Sequence, residues 1–207
     1  MASHQPDDTL RFDTSILDGL YKKNTIFVSG LVIAPVVAAA TTVRLALVVA
    51  CIFSLITFFT ILIASFVPRD IAYAVRIILY TLIAAMVYVP AAIFGYTLFP
   101  EEIKALGVYV PLLITNSLIV SKTELRFFRK SKAAMTIDIL SYIGGFDAAI
   151  LLFAFLREIF STGALGDRIL GIPLTFPALA LPFGGFIFLG LLSGLFRKIQ
   201  IYIRRNK

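Results

Sequence analysis

Residues 107–124 read GVYVPLLITNSLIVSKTE. Up to Ser121 the stretch is 15 residues without a charge, at the short end for one bilayer crossing. Its interior holds Pro111, Thr115, Asn116 and Ser117. A lipid-facing helix seldom carries such a group at mid-depth, because polar side chains and carbonyls freed by proline need partners there. A second short run, residues 26–43, is interrupted in the same manner at Pro35. The rest of the chain is arranged around this pair.

Of 207 residues, 59% are hydrophobic and only 15% are charged, with a mean hydropathy of +0.95. That composition excludes a soluble globular domain and specifies an integral membrane protein. The formal net charge of +7 does not imply nucleic-acid binding, because the charges cluster at the ends of apolar runs, where they set topology. Cys51 is the single cysteine and lies inside an apolar run, so neither a disulfide framework nor a cysteine cluster for a metal is expected. The lone His4 is in the polar N-terminal segment, and no signal-peptide pattern is evident in the first 25 residues.

In chain order, residues 1–25 place Leu10, Phe12, Ile16, Leu17, Leu20 and Tyr21 roughly on one helical face, which predicts an amphipathic surface helix. Six apolar runs follow, over 26–43, 45–67, 77–100, 105–121, 133–156 and 169–196. The second and third are long enough to span. The sixth carries Pro173, Pro177 and Pro182, and reads as a loop or re-entrant piece leading into a helix from about residue 182 to 196. With six crossings, one side collects 15 of the 19 Lys and Arg residues; Arg44, Lys104, Arg157 and Arg168 fall on the other. The positive-inside rule then puts both termini in the cytoplasm.

Each half opens with a short, proline-interrupted run and continues with two longer ones. An odd number of spans per unit inverts the second unit relative to the first, and such repeats place sites near the midplane, where half-helices end. The expected fold is thus an all-α membrane protein of six transmembrane helices in two inverted three-helix repeats, with broken half-helices at spans 1 and 4. Its parts are a cytoplasmic amphipathic tail (1–25), a membrane domain (26–196, repeats about 26–100 and 105–196) and a basic cytoplasmic tail (197–207).

Ionisable residues inside spans are the first functional candidates. Asp147, in SYIGGFDAAILL (141–152), lies near the centre of the fifth run after Gly144 and Gly145. It reads either as a residue that binds or relays a cation or proton, or as a hydrogen-bonded structural aspartate. Asp138 reads as an interfacial or helix-start residue, and Arg157 and Glu158 as side chains reaching toward headgroups. Thr41, Thr42, Thr115, Asn116 and Ser117 either line a midplane site or satisfy freed backbone groups. No Walker loop, dinucleotide fingerprint, zinc motif or nucleophile elbow is present, so no catalytic residues are assigned.

Four stretches resemble the NqrD/RnfE-type membrane subunits (Rnf-Nqr family) of Rnf and Na+-translocating NADH:quinone reductase complexes. They are LDGLYKKNTIFVSGLVIAPVVAAATT (17–42), FPEEIKALGVYVPLLITNSLIVSKTE (99–124), DILSYIGGF (138–146) and REIFSTGAL (157–165). The resemblance implies six helices in inverted repeats, and a homologous, inversely oriented sister subunit (NqrE/RnfA-like) sharing an iron–sulfur cluster. Flavoprotein and ferredoxin-like subunits are also implied, in a bacterial or archaeal cytoplasmic (inner) membrane. It places the family's cluster-ligand cysteines at Ala34 and Ser117, and a threonine at Asp147. Alanine has no donor atom and a serine hydroxyl replaces thiolate poorly, so no conventional cluster is expected in this chain, and no metal or other cofactor. The leading expectation is a membrane subunit of such an ion-translocating electron-transport complex, or a divergent relative that has lost the cluster. The alternative is a small-solute or cation carrier on the same scaffold, with a midplane site at Thr115, Asn116, Ser117 and Asp147. The partners expected are membrane lipid and the sister subunit or a second copy, not nucleic acid.

Overall fold

A computed structural model describes residues 26–27, 33–68, 70–115, 117–125, 132–166, 168–169 and 175–205. The amphipathic helix expected within residues 1–25, and Asn116, lie outside the described residues. The chain is mostly helical. Its elements are α1 (Ile33–Ala39), α2 (Val43–Ala64), α3 (Tyr73–Leu98), α4 (Pro100–Leu106), 3-10 turns at Gly107–Tyr109 and Pro111–Thr115, α5 (Ser117–Leu125) and α6 (Lys132–Thr162). A two-residue antiparallel ladder follows, β1 (Ala164–Leu165) with β2 (Arg168–Ile169), then a 3-10 turn at Pro177–Ala180 and α7 (Pro182–Arg205).

Four helices, α2, α3, α6 and α7, are long and apolar enough to cross a membrane. A fifth crossing is formed if α4 and the turn after it count with the following segment through Ser121 as one span bent by 54°. Local chemistry sets several boundaries. Thr42 is extended (φ −127°, ψ 157°) and its side chain accepts from the Leu45 N–H, capping the start of α2. α4 begins with Pro100 and carries Glu101 and Glu102 in its first turn and Lys104 in its last, matching the helix dipole. It stops at Gly107, whose φ of +50° suits a residue without Cβ.

The core is built on α2, which touches α1, α3, α4, α5 and α6. Its most apolar stretch is 56% buried, as is that of α6, against 28% for α3 and 11% for α7. The α2–α6 contact is the most extensive in the bundle. Phe53 and Phe146 stack across it with ring centroids 3.6 Å apart. The helix expected to end near residue 196 continues to Arg205. Nothing local stops it, since the chain after Phe196 lacks proline and glycine and its basic residues suit a helix C-terminus.

Candidate functional site

Pro35, where the sequence placed the first interruption, lies within the described helix α1; the described break falls later, at 40–42 between α1 and α2, close to the boundary of the first and second apolar runs. A broken helix leaves carbonyls at one end and N–H groups at the other without intrahelical partners. Here both sets are served by Arg157 and Glu158, near the end of α6. The Arg157 guanidinium donates to the carbonyls of Val37 and Ala40 (3.1 Å to the latter) at the end of α1. It also donates to Leu179 (2.7 Å), Ala180 (3.2 Å) and Leu181 (3.3 Å), where the 3-10 turn leads into α7. Glu158 accepts from the Val43 N–H (2.7 Å), the first residue of α2, and from the Gly166 N–H (2.9 Å) beside the small ladder.

The expectation that Arg157 and Glu158 reach toward headgroups is therefore corrected: they are 0% and 5% exposed. The reason is supply and demand for hydrogen bonds. Guanidinium has five N–H donors in a fixed fork, and two converging helix ends present more carbonyls than the backbone can satisfy. A cation at the C-terminal end of α1 and a carboxylate at the N-terminal end of α2 also match both half-helix dipoles. Gly185 makes room for this arrangement, because a Cβ there would stand 2.9 Å from the guanidinium. Asp138, expected at an interface, is 1% exposed, since helix packing encloses that part of α6.

Asp147 lies eleven residues before Glu158 on α6, and Ser54 eleven residues after Val43 on α2. The Ser54 hydroxyl donates to Asp147 Oδ2 at 2.8 Å. The two pairs thus define one antiparallel register, separated by about 16 Å of helix at ~1.5 Å per residue. Ser54 stands in the middle of the 22-residue α2, so the hydrogen bond holds Asp147 against the centre of that helix. Asp147 Oδ1 has no hydrogen-bond partner among the described residues. The sequence singled out Asp147 but not Ser54, which shares its apolar run with two further hydroxyls, Thr57 and Thr60.

Thr115 is exposed, and its hydroxyl donates to its own turn at Leu112 O (3.0 Å). No hydrogen bond joins it to Asp147 among the described residues. Ser117 opens α5, and Ala34 lies in α1. The two interrupted stretches do meet, since α1 touches the Gly107–Tyr109 turn. At the end of α5, Glu124 receives Arg76 Nε (3.0 Å), Arg76 Nη2 (2.8 Å) and the Tyr80 hydroxyl (2.7 Å) from α3. Arg44 at the start of α2 pairs with Glu102 of α4.

These residues do not fit an iron–sulfur cluster. Ala34 has no donor and Ser117 only a hydroxyl, while the sole cysteine, Cys51, is on α2, one turn from Ser54 and in neither interrupted stretch. Among the described residues, no group of three or more His, Cys, Asp or Glu side chains is placed to hold a metal.

Comparison with known proteins agrees with the four stretches of resemblance. The chain is 27% identical to the E-type subunit of the ion-translocating oxidoreductase complex of Shewanella oneidensis, over 91% of this chain and 88% of that protein. It is 29% identical to the protein of the same name from Shewanella piezotolerans, with the same coverage. The identity is 30% to that of Klebsiella pneumoniae, over 73% of this chain and 66% of that protein. Residues 13–193 match the model of a family described as Rnf-Nqr subunit, membrane protein, and the chain belongs to that family.

Proposed function

We propose that this chain works as a membrane subunit of an ion-translocating oxidoreductase complex of the Rnf/Nqr type, and that it holds no iron–sulfur cluster of its own. The observation that carries this reading is similarity to named subunits of such complexes along nearly the whole of both chains. The relatives' names give no support to a free-standing carrier. The chain makes six crossings in two inverted three-helix repeats (about 26–100 and 105–196), with both termini in the cytoplasm and the molecule in the bacterial or archaeal inner membrane. Four described helices, or five with the bent pair, are long and apolar enough to cross a membrane, which supports a multi-pass chain. Thr115, Asn116 and Ser117 of the second interrupted stretch, and Asp147 of α6, are the polar groups we assign to mid-depth. The partners are an inversely oriented homologous subunit, with flavoprotein and ferredoxin-like subunits in the wider complex.

Purification from native membranes tests this reading. The expected result is co-purification of a homologous membrane subunit together with flavin- and iron-containing chains. Iron analysis and EPR on this chain alone should find no stoichiometric cluster. A stoichiometric cluster on the isolated chain would refute the second part of the proposal. Recovery of the chain without any of these subunits would refute the first.

A further inference from the structure

α7 has two sides. Leu189 and Gln200 face the bundle and are 3% and 8% exposed, whereas Leu191 and Tyr202 are 68% and 67% exposed. The outward side forms one stripe of Ile187, Leu191, Leu195, Lys198, Tyr202 and Arg205, all exposed. Their spacing of three or four residues keeps them within one sector of the helix. Through Leu195 the stripe is aliphatic, and from Lys198 onward it is cationic, with a tyrosine between the two charges.

The change falls where a bilayer ends. α7 has 24 residues, about 36 Å at ~1.5 Å per residue, against roughly 30 Å of hydrocarbon. With its apolar turns in hydrocarbon, its last turns enter the headgroup layer, where tyrosine and long cationic side chains settle. No counter-charge meets them on the helix, since the sequence after Asp167 has no acidic residue. Among the described residues, neither Lys198 nor Arg205 forms an ion pair.

We propose that this stripe binds an anionic phospholipid, with an acyl chain along Ile187, Leu191 and Leu195 and the phosphate held by Lys198, Tyr202 and Arg205. Charge complementarity selects an anionic over a zwitterionic headgroup, because two cations without a protein counter-ion attract net negative charge. The Tyr202 hydroxyl supplies a neutral donor to a phosphate oxygen. The order of the stripe selects lipid over an acidic protein surface. A phospholipid is apolar and then anionic along one line, as the stripe is apolar and then cationic, so one ligand satisfies both parts. An acidic protein surface in the headgroup layer would cover the charges and leave the aliphatic part unmatched. The inference goes beyond membership of a complex and needs only that α7 crosses the bilayer.

Photoreactive lipids provide the test. The protein, with whatever subunits accompany it, is reconstituted into phosphatidylcholine vesicles at constant ionic strength. The vesicles contain either phosphatidylglycerol or phosphatidylcholine with a diazirine on one acyl chain, at equal mole fraction. After photolysis, adducts on α7 peptides are measured by mass spectrometry. Phosphatidylglycerol should label residues 187–195 in excess over phosphatidylcholine by a factor on the order of twenty, with about fivefold of that lost in each of Lys198→Gln and Arg205→Gln. Lys104→Gln, which removes an exposed cation on α4, should leave the excess unchanged. Equal labelling by the two lipids in the wild-type protein would overturn the inference, and that comparison requires no variant to fold. An excess that survives Lys198→Gln/Arg205→Gln would overturn it as well. Loss of α7 adducts while another membrane subunit co-purifies would place a protein on this face, overturning the inference and leaving the complex reading standing. The expected excess on a chain recovered alone would support this inference while the complex reading failed.

Discussion

At residues 40–42 the backbone leaves α1 and enters α2 with its loose ends served by side chains 115 to 120 residues away, whereas at 107–115 it turns on local geometry. The second bend uses Gly107 at positive φ, two 3-10 turns and a threonine bonded within its own turn. Its tertiary anchor comes later, at Glu124, where Arg76 and Tyr80 converge. The contrast shows two ways of ending a helix inside an apolar bundle. One imports charge to the break itself, and the other tightens the backbone and anchors the next helix.

Substitutions should separate the two. The largest effect is expected from Arg157→Met, which strips the side-chain donors from the carbonyls of Val37, Ala40, Leu179, Ala180 and Leu181. A loss of about 3–5 kcal/mol follows from leaving several carbonyls without a donor, read as a fall in folded yield and thermal stability in detergent. Retention of wild-type stability would mean that the break does not depend on the clamp. Glu158→Gln keeps an acceptor but removes the charge facing the Val43 N–H, and should cost about 2 kcal/mol in the same assay. Gly185→Ala crowds both the guanidinium and Val37 from the α7 side and should cost about 1–2 kcal/mol, with Arg157→Met/Gly185→Ala losing less than the two single losses added together. On the second stretch, Tyr80→Phe removes one bond to Glu124 and is expected to cost about 1 kcal/mol. Thr115→Val, touching only an exposed local bond, should stay within about 0.5 kcal/mol of wild type by thermal melt. If Thr115→Val rivalled Glu158→Gln, the distinction between imported and local solutions would collapse.

Much of this was legible in the residues. Hydropathy and length marked the spanning helices, and Pro111 with its polar neighbours marked the second interruption. Asp147 stood out because a carboxylate in an apolar run needs either a functional role or a hydrogen-bond partner. What stayed hidden was pairing. Arg157 and Glu158 close an apolar run, where the ordinary reading is a side chain stretching to water. Only the packing of the Pro177–Ala180 turn against α6, and the approach of the α1 carbonyls to Arg157, turn them inward. Ser54 was invisible for the same reason, because its meaning depends on the register between α2 and α6. The extent of α7 was underestimated because its basic residues read as a tail, although they are compatible with continued helix.

The clamp also has a consequence for how the protein is made. A ribosome adding roughly 5–20 residues per second needs on the order of ten seconds to pass from Val43 to Glu158. Throughout that interval the carbonyls of Val37 and Ala40 and the Val43 N–H await donors and an acceptor that have not been synthesised. The N-terminal half therefore enters the bilayer unfinished and is completed by the C-terminal half. A fragment ending before α6 would leave the translocon with its first break open, making it a natural substrate for membrane proteases.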